Sequence, residues 1–252
     1  MKVIAILLAR KGSKAVPGKN TMRLLNRKAF EYPILAAKNS QYVSDIYIST
    51  DDEEIIKYAK DNNLPLIDRP DFLATDKALF EDALVDAYKK IKLKYSEEPD
   101  YIVILMGNAL TVDNHLIDEA IESLEKDKIA DSAVSVSKFN MYSPLRARKL
   151  SQDNYLEPFV KFEYFGDPKK LNCDRDSQGD VYFADMSHSV VRAKCLDNLD
   201  TGLLPQKWMG TKILPIYNIF GCDIDTNWQI DMTMRWLKEK NFSETKTPYD
   251  DN

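Results

Sequence analysis

The stretch Val3–Asn20 reads VIAILLARKGSKAVPGKN and combines an apolar run with a basic turn that contains two glycines. Its first seven residues, Val3–Ala9, are continuously apolar, as in a strand that is covered on both faces of a parallel sheet. Gly12 and Gly18 give the turn the backbone freedom to approach a ligand closely. The stretch therefore predicts a first parallel strand with a ligand-binding loop at its carboxyl end.

The charge of this loop indicates which ligand it binds. Four cations lie within ten residues, beside the hydroxyl group of Ser13: Arg10, Lys11, Lys14 and Lys19. Backbone amides and convergent cations at the end of a parallel strand suit a polyphosphate. The spacing is neither GxxxxGK[ST] nor GxGxxG, so the loop is not one of those two nucleotide-binding motifs. The alternative interpretation is a solvated basic turn.

Strand and helix patterns alternate from residue 1 to about residue 136. This alternation predicts an α/β fold with a mostly parallel sheet flanked by helices. Strands are expected at the short apolar segments Ile46–Ile48, Leu64–Ile67, Tyr101–Leu105 and Ser132–Val136. Helices are expected at Phe30–Ala37, Asp52–Asn62, Leu79–Tyr95 and His115–Glu125. The pattern resumes with strands at Val181–Arg192 and Lys212–Ile216 and a helix at Trp228–Lys238.

The alternation is interrupted from about Lys138 to Asp180, a segment rich in Tyr, Phe, Pro and charge with a period near two. This pattern predicts an inserted, strand-rich lobe, which we call the lobe. There is no linker or internal repeat, so residues 1–252 form one domain with an insertion at 138–180.

Composition excludes several classes of protein. With 44% hydrophobic and 30% charged residues, the chain is not expected to be disordered or fibrous. A formal charge of −5 argues against a nucleic-acid partner. No apolar run approaches the roughly 20 residues of a membrane helix, and three cysteines without CxxC spacing indicate reduced thiols. We therefore expect a cytoplasmic protein that binds neither nucleic acid nor membrane.

The loop motif resembles that of a known family. A first strand followed by AR-x-GSK-x-x-P-x-KN is similar to the acylneuraminate cytidylyltransferases, which activate sialic acids and related nonulosonates with CTP. Three later segments resemble that family's in the same order: ISTDDEEI (Ile48–Ile55), RPDFLATD (Arg69–Asp76) and DIDT (Asp223–Thr226). The resemblance implies a Rossmann-like nucleotidyltransferase fold, a homodimer formed through the lobe, and Mg²⁺-dependent transfer of CMP.

The resemblance also implies roles for single residues. Arg10, Lys19 and Asn20 would hold the nucleotide phosphates, with Ser13 and Lys14 supporting the loop. Arg69 would line the nucleotide site, although an Arg-Pro turn with a surface salt bridge is an alternative. Asp76 is either part of that site or the N-cap of the next helix. Leu79 and Phe80 replace the small hydroxyl residues of the family.

Asp223 and Asp225 are two residues apart, so on a strand both carboxylates would point to one face. Two close carboxylates repel unless a cation lies between them, and Mg²⁺ prefers one or two carboxylates together with phosphate oxygens. The pair is therefore the predicted metal site, and Arg10, Lys19 and Asp225 are the predicted catalytic residues. The alternative is that Asp225 or Thr226 caps the last helix.

The sequence departs from the family where the sugar would bind. Asn108 and Arg175 are candidates to contact the sugar, but Met106–Asn108 replaces a Q-P-T motif, and Asp185 and Met186 replace an Asn-Gly pair. Asp185 is the third candidate contact. His188 is a possible proton carrier or a structural histidine. The expected reaction joins CTP to an α-keto sugar acid and releases pyrophosphate. The alternatives are a phosphorylated sugar or phosphonate acceptor, and a non-catalytic nucleotide-binding homologue.

Overall fold

The computed structural model describes residues 1–13, 16–94, 98–174 and 178–250. Its centre is a seven-stranded sheet. In chain order the first half comprises β1 (Val3–Ala9), the hairpin β2 (Arg23–Leu24) and β3 (Arg27–Lys28), α1 (Glu31–Lys38), β4 (Val43–Thr50), α2 (Glu53–Asp61), β5 (Leu66–Ile67), α3 (Phe80–Lys94), β6 (Tyr101–Met106) and α4 (Asn114–Lys126). The second half comprises β7 (Ser132–Lys138), β8 (Arg148–Leu150), β9 (Leu156–Pro158), β10 (Tyr182–Arg192), α5 (Lys194–Asp197), β11 (Ile213–Asn218) and α6 (Asn227–Glu239).

The strand order in the sheet is β11-β7-β10-β6-β1-β4-β5. β10 runs antiparallel to both of its neighbours, β6 and β7, and the other strand pairs are parallel. This mostly parallel sheet confirms the predicted α/β class. All seven residues of β1 are buried, as its unbroken apolar sequence predicted, because helices cover both faces of the sheet.

Two apolar cores lie on opposite faces of the sheet. The odd-numbered residues of β1 pack with α1, α2 and α4, and its even-numbered residues pack with α3 and α5. A third cluster joins α6 to α1 and to Val16 of the loop after β1. All of the predicted helices occur, and most of their ends lie one residue away from the predicted position. None of the described helices is long and apolar enough to span a membrane.

The lobe contains fewer strands than its sequence suggested. Among its described residues are one hairpin, β8 with β9, and four short 3₁₀-helices at Asn140–Tyr142, Pro144–Arg146, Phe162–Phe165 and Pro168–Lys170. Among the described residues, the alternation of aromatic and polar residues therefore forms no sheet larger than this two-stranded hairpin. Most of its large apolar side chains remain at the surface of the single chain, among them Tyr155 and Leu156, which are 73% and 70% exposed.

Candidate active site

The order in which the chain adds strands to the sheet changes direction at β1, so that β6 lies on the other side of β1 from β4. After β1 the chain continues outward to β4 and β5, and it then returns through α3 to place β6 on the other side of β1. In open α/β sheets the crevice outside the carboxyl ends of such strands is where ligands bind. A cavity of about 330 Å³ lies at this point. Its polar lining consists of Arg10, Lys19, Asn20, Arg69, Asn108, Asp223 and Asp225.

A second cavity is larger but lacks this chemistry. It has a volume of about 720 Å³ and lies between α3 and residues 196–200. None of the predicted site residues lines it. The smaller cavity is therefore the candidate active site.

The loop after β1 is built by two left-handed residues and a tie to the next strand. Gly12 and Gly18 have φ angles of +80° and +69°, a region that glycine enters without steric cost. The N–H of Lys11 donates to Asp51 Oδ1 at 2.6 Å, which holds the loop against the end of β4. The Ser13 hydroxyl oxygen accepts the N–H of Val16 at 3.4 Å, so Ser13 supports the loop. Lys14, predicted to do the same, lies outside the described residues.

Arg10 is held in place by two acceptors. Its Nη1 donates to Asp76 Oδ1 and to the Gly12 carbonyl oxygen, both at 2.7 Å. The Asn20 Nδ2 in turn donates to the Arg10 carbonyl oxygen at 2.9 Å, which fixes the backbone at the end of β1. Because α3 begins at Phe80, Asp76 is too far from the helix to be its N-cap. Asp76 instead balances the charge of Arg10.

The loop after β6 approaches the first loop closely. A Cβ atom at Gly107 would lie 2.7 Å from the Ala9 Cβ and 3.2 Å from Asn20 Oδ1, so a side chain does not fit there. The Asn108 side chain is 7% exposed. Its Nδ2 donates to Asp223 Oδ2 at 3.3 Å and to the Ile224 carbonyl oxygen at 3.2 Å. Asn108 therefore joins the loop after β6 to the acidic pair.

The acidic pair lies on a loop and not on a strand, which corrects the expectation from its spacing. β11 ends at Asn218, and residues 221–225 are irregular. Both carboxylates nevertheless line the cavity. Lys19 Nζ lies 2.5 Å from Asp225 Oδ1. Burial and the neighbouring Asp225 raise the pKa of Asp223, and Lys19 and Asn108 oppose that change.

The last helix is capped by Thr226, one of the two residues that the alternative interpretation named. The Thr226 side chain and Gln229 form a capping box at the start of α6, and Gln229 Oε1 also accepts the N–H of Asp225 at 2.8 Å. The Asp225 carboxylate is not used as the cap. It is therefore available to Lys19 and to a ligand in the cavity.

Arg69 lies on the β5 side of the cavity. Its Nε and Nη2 both donate to the Leu73 carbonyl oxygen, at 3.0 and 2.8 Å, which closes the Arg69–Asp76 segment into a turn. Burial lowers the pKa of the Arg69 guanidinium, although arginine stays charged in proteins. Arg69 is thus a fixed cation on the cavity wall.

Of the predicted sugar contacts that the structure describes, Asp185 does not line the cavity. Asp185 is 5% exposed and its carboxylate accepts the Ser135 hydroxyl, the Ser137 hydroxyl at 2.6 Å and the Ser187 N–H at 3.1 Å. These donors satisfy it, so we assign Asp185 a structural role in β10, which corrects the prediction of substrate binding. Arg175 lies outside the described residues. Asn108, the other predicted contact that the structure describes, lines the cavity.

His188 is a structural residue. It is 1% exposed, and neither ring nitrogen has a hydrogen-bond partner among the described residues. Burial lowers its pKa to about 4, against the influence of Asp185 and Asp113. A neutral imidazole sealed from the cavity does not carry protons for a reaction there.

The cavity also has apolar lining residues, of which Trp208 had no signal in the sequence. These residues are Phe80, Met106, Met186 and Trp208. The Phe80 and Trp208 rings are in contact, with centroids 5.1 Å apart. Trp208 lies in a short 3₁₀-helix, Lys207–Met209, in which no motif marks it. Only the packing of the chain brings it to the site.

The residues present fit a magnesium ion. Asp223 and Asp225 supply hard oxygen donors. Burial and, after it, the neighbouring Asp225 raise the pKa of Asp223, and a second cation beside Lys19 would favour its charged form. The described residues contain no group of three or more His, Cys, Asp or Glu side chains arranged to hold a metal alone. Mg²⁺ is typically held by one or two carboxylates plus substrate phosphates, and Asp223 and Asp225 are two such carboxylates.

Comparison with known proteins identifies relatives of similar sequence. A sequence model described as cytidylyltransferase matches residues 4–193. The bifunctional pseudaminic acid cytidylyltransferase and UDP-2,4-diacetamido-2,4,6-trideoxy-beta-L-altropyranose hydrolase of Helicobacter pylori is 32% identical over 60% of this chain and 28% of that protein. The N-acylneuraminate cytidylyltransferase of Escherichia coli is 28% identical over 74% of this chain and 43% of that protein. The match thus spans less than half of either relative.

The fold is also found in solved structures. CMP:2-keto-3-deoxy-manno-octonic acid synthetase complexed with CTP superposes with a TM-score of 0.66 over 95% of this chain and 99% of that chain. The sequence identity is 14%, so this likeness concerns the fold. It agrees with the Rossmann-like nucleotidyltransferase architecture expected from the sequence.

Proposed function

The chain belongs to the cytidylyltransferase family, and from this we propose that it transfers CMP from CTP to the hydroxyl group of an α-keto sugar acid of the nonulosonate class. The observation that carries the proposal is one cavity at the β1–β6 crevice that combines Arg10 and Lys19 with the pair Asp223 and Asp225. The relatives named above act on sugars of that class by their descriptions.

In the proposed reaction the sugar hydroxyl oxygen attacks the α-phosphorus of CTP, and the bond from that phosphorus to the pyrophosphate oxygen breaks. Such transfer depends on positioning and charge neutralisation more than on covalent catalysis. Before CTP binds, Arg10 and Lys19 are paired with Asp76 and Asp225 at 2.7 and 2.5 Å. When CTP binds, the two cations would exchange these carboxylates for phosphate oxygens. The protein thus keeps its phosphate-binding cations oriented before the substrate arrives.

The remaining polar residues have distinct tasks in this proposal. Asn20 holds the backbone of Arg10 in the geometry that the phosphates require. Arg69 would line the nucleoside end, on the β5 side, and Asn108 would position Asp223 and face the acceptor. Mg²⁺ held by Asp223 and Asp225 would neutralise charge on the phosphate oxygens.

The lobe would form a homodimer interface. Its exposed apolar side chains include Tyr155, Leu156, Phe159 and Tyr164, each more than 60% exposed in the single chain. A surface of this kind is usually covered by a partner, and a second copy of the chain is the partner we propose. The use of CTP and the three unpaired cysteines support a cytoplasmic location.

The direct test is release of pyrophosphate from CTP, ATP, GTP or UTP in the presence of Mg²⁺ and a panel of acceptors. We expect release with CTP and a nonulosonate. Release only with a phosphorylated sugar or a phosphonate would identify the alternative acceptor class. CTP binding without pyrophosphate release from any acceptor would identify a non-catalytic homologue.

Lys19→Ala tests the proposed loop. Removing one charge-assisted contact to the transition state typically costs about 2–4 kcal/mol, so kcat/KM is expected to fall by about 30- to 1,000-fold. Lys57→Ala is a matched control, since Lys57 also pairs with a carboxylate at 2.5 Å but lies on α2 outside the cavity. Equal activity of the two variants would show that the loop after β1 is a solvated turn.

A further inference from the structure

The cavity has an apolar wall formed by Phe80, Met106, Met186 and Trp208. Trp208 is 4% exposed and packs against Phe80, so this part of the wall is firmly supported. Met106 and Met186 are half-buried and complete the surface. The wall offers a ligand apolar contact in the same cavity that offers cations and carboxylates.

Met186 is held in the wall by an unusual backbone conformation. Its φ is +61°, a region that side-chain-bearing residues rarely adopt. Of the six non-glycine residues with positive φ in the described chain, four are asparagine, which tolerates this conformation best. The sixth, Leu25, lies in the turn between β2 and β3. A methionine at such a position is therefore exceptional in this molecule.

The surrounding structure keeps this conformation in place. The register of β10 against β7 shifts between Ala184 and Ser189, so the strand is irregular at Met186. The preceding residue, Asp185, is fixed by the hydroxyl groups of Ser135 and Ser137. Strained conformations that neighbours enforce in this way are concentrated at functional sites. At Met186 this strained conformation accompanies the placement of the side chain on the cavity wall.

The position of Met186 in the sheet assigns it to one end of the bound substrates. Met106 and Met186 belong to β6 and β10, on one side of β1, whereas Arg69 follows β5 on the other side. The phosphate-binding loop lies between them, after β1. If Arg69 lines the nucleoside end, as in the proposed function on which this inference rests, the apolar wall faces the acceptor.

We propose that Met186 determines acceptor specificity, and that the acceptor is a sugar acid that presents a methyl-terminated substituent to the apolar wall. A phenylalanine ring gives a hydroxyl group no conventional hydrogen bond, and a thioether sulfur gives only a weak one, in exchange for the water that the hydroxyl group loses. An acid that carries a hydroxymethyl group at the same position would therefore bind less well. An apolar pocket typically discriminates between such pairs by roughly 10- to 100-fold in kcat/KM.

The experiment measures pyrophosphate release with CTP and two acceptor acids of the same stereochemistry, one ending in a methyl group and one in a hydroxymethyl group. Met186→Gly removes the side chain and Met186→Asn replaces it with a polar one, and both residues are at ease at positive φ. Asn63→Gly is the matched control, because it removes a side chain at another positive-φ position, φ +53°, away from the cavity.

We expect the wild-type chain and the Asn63→Gly control to prefer the methyl-terminated acid. In both Met186 variants the preference falls at least about fivefold, with an unchanged KM for CTP. An unchanged preference in both variants, or a wild-type preference for the hydroxymethyl acid, would overturn the inference and leave the proposed function standing. Absence of pyrophosphate release from CTP with either acid, and with the wider panel, would overturn the proposed function itself.

Discussion

Lys19 and Asp225 are 206 residues apart in the chain, and their charged groups meet at 2.5 Å. The pair joins the cation that we propose for phosphate binding to the carboxylate that we propose for metal binding, so the two charges balance each other before substrates bind. The Asp225 side chain is 55% exposed, and an ion pair of this kind adds little to folding stability. Its value to the protein therefore lies in the site and not in the fold.

Asp225→Asn separates these two contributions. Because Thr226 and Gln229 already cap α6, we expect the unfolding free energy to change by less than about 1 kcal/mol. Loss of the carboxylate that would hold Mg²⁺ should lower kcat by about 100-fold or more, equivalent to about 3 kcal/mol. The measurement is pyrophosphate release against Mg²⁺ concentration, beside a thermal melt.

Asp61→Asn provides the comparison for that experiment. Asp61 also accepts a lysine at 2.5 Å, on the exposed surface of α2. Wild-type rates and metal dependence in both variants would show that the metal site lies elsewhere.

The burial of His188 leads to a prediction of how the unfolding free energy depends on pH. Burial lowers its pKa to about 4 from an ordinary value of 6.5. Between those values the unfolded chain binds a proton that the folded chain does not, so the unfolding free energy decreases as pH falls from 6.5 to 4. The total loss is on the order of 3 kcal/mol. His188→Leu should remove this part of the pH dependence.

Thermal melts between pH 4 and 7.5 measure the effect. His115→Leu is the control, because the other histidine of the chain is exposed at the start of α4. Parallel melting curves for the wild type and His188→Leu across that range would contradict the assignment of His188 as a buried neutral residue.

At the scale of elements, Asp131 joins the start of β7 to the start of β11. Its Oδ2 accepts the N–H groups of Thr211 and Lys212 at 3.0 and 3.1 Å and the Thr211 hydroxyl at 3.0 Å. Its Oδ1 pairs with Lys194 of α5 at 3.0 Å. One carboxylate therefore aligns the two strands in register and anchors a helix beside them.

Asp131→Asn should weaken this junction in a pH-dependent way. Burial raises the pKa of Asp131, but the hydrogen bonds from Thr211, Lys194 and Lys212 outweigh it and hold that pKa well below its usual range. The carboxylate therefore stabilises the fold above the unfolded pKa of about 4, and the stabilisation is lost as pH falls below that value. At pH 7 we expect a loss of about 1–3 kcal/mol.

Urea unfolding at pH 7 and pH 3.5 tests the direction of the effect. Asp200→Asn, in a residue whose side chain is 92% exposed, is the control. A difference between Asp131→Asn and the wild type that grows toward low pH would contradict the assignment.

For the molecule as a whole, the lobe is notable because many of its large apolar side chains are exposed in the single chain. Its one hairpin and short 3₁₀-helices enclose little core, and its aromatic side chains remain exposed. We expect the chain to be dimeric at micromolar concentration by light scattering, and the double variant Tyr155→Glu, Leu156→Glu to be monomeric. Leu93→Glu, at an 89% exposed apolar residue on α3, should stay dimeric.

A monomeric wild-type chain at that concentration would refute the proposed dimer. A double variant that remains dimeric would show that a different surface forms it. In either case the folded state of each variant is checked by its thermal melt.

Local signals in the sequence determined most of the fold. The unbroken apolar run of β1, the alternation of strands with amphipathic helices and the glycine-containing basic loop all act over a few residues. Those features predicted the α/β class, the place of the loop after β1 and a polyphosphate ligand for its cations, of which Arg10 and Lys19 line the cavity. The family resemblance added Asn20, which lines it too. Short-range periodicity and turn chemistry are legible in sequence because each residue's environment there depends on its near neighbours.

The tertiary structure alone decided which distant residues share the site. The two-residue spacing suggested that Asp223 and Asp225 lie on a strand. In the structure β11 ends before them, and a hydrogen bond from Asn108 to the Ile224 carbonyl oxygen holds their loop. Asp185 is drawn into the interior by two serine hydroxyls from β7, and Trp208 reaches the cavity without any motif to mark it. These outcomes depend on strand order and on how loops from separate strands close over one crevice, which are long-range properties that no local pattern encodes.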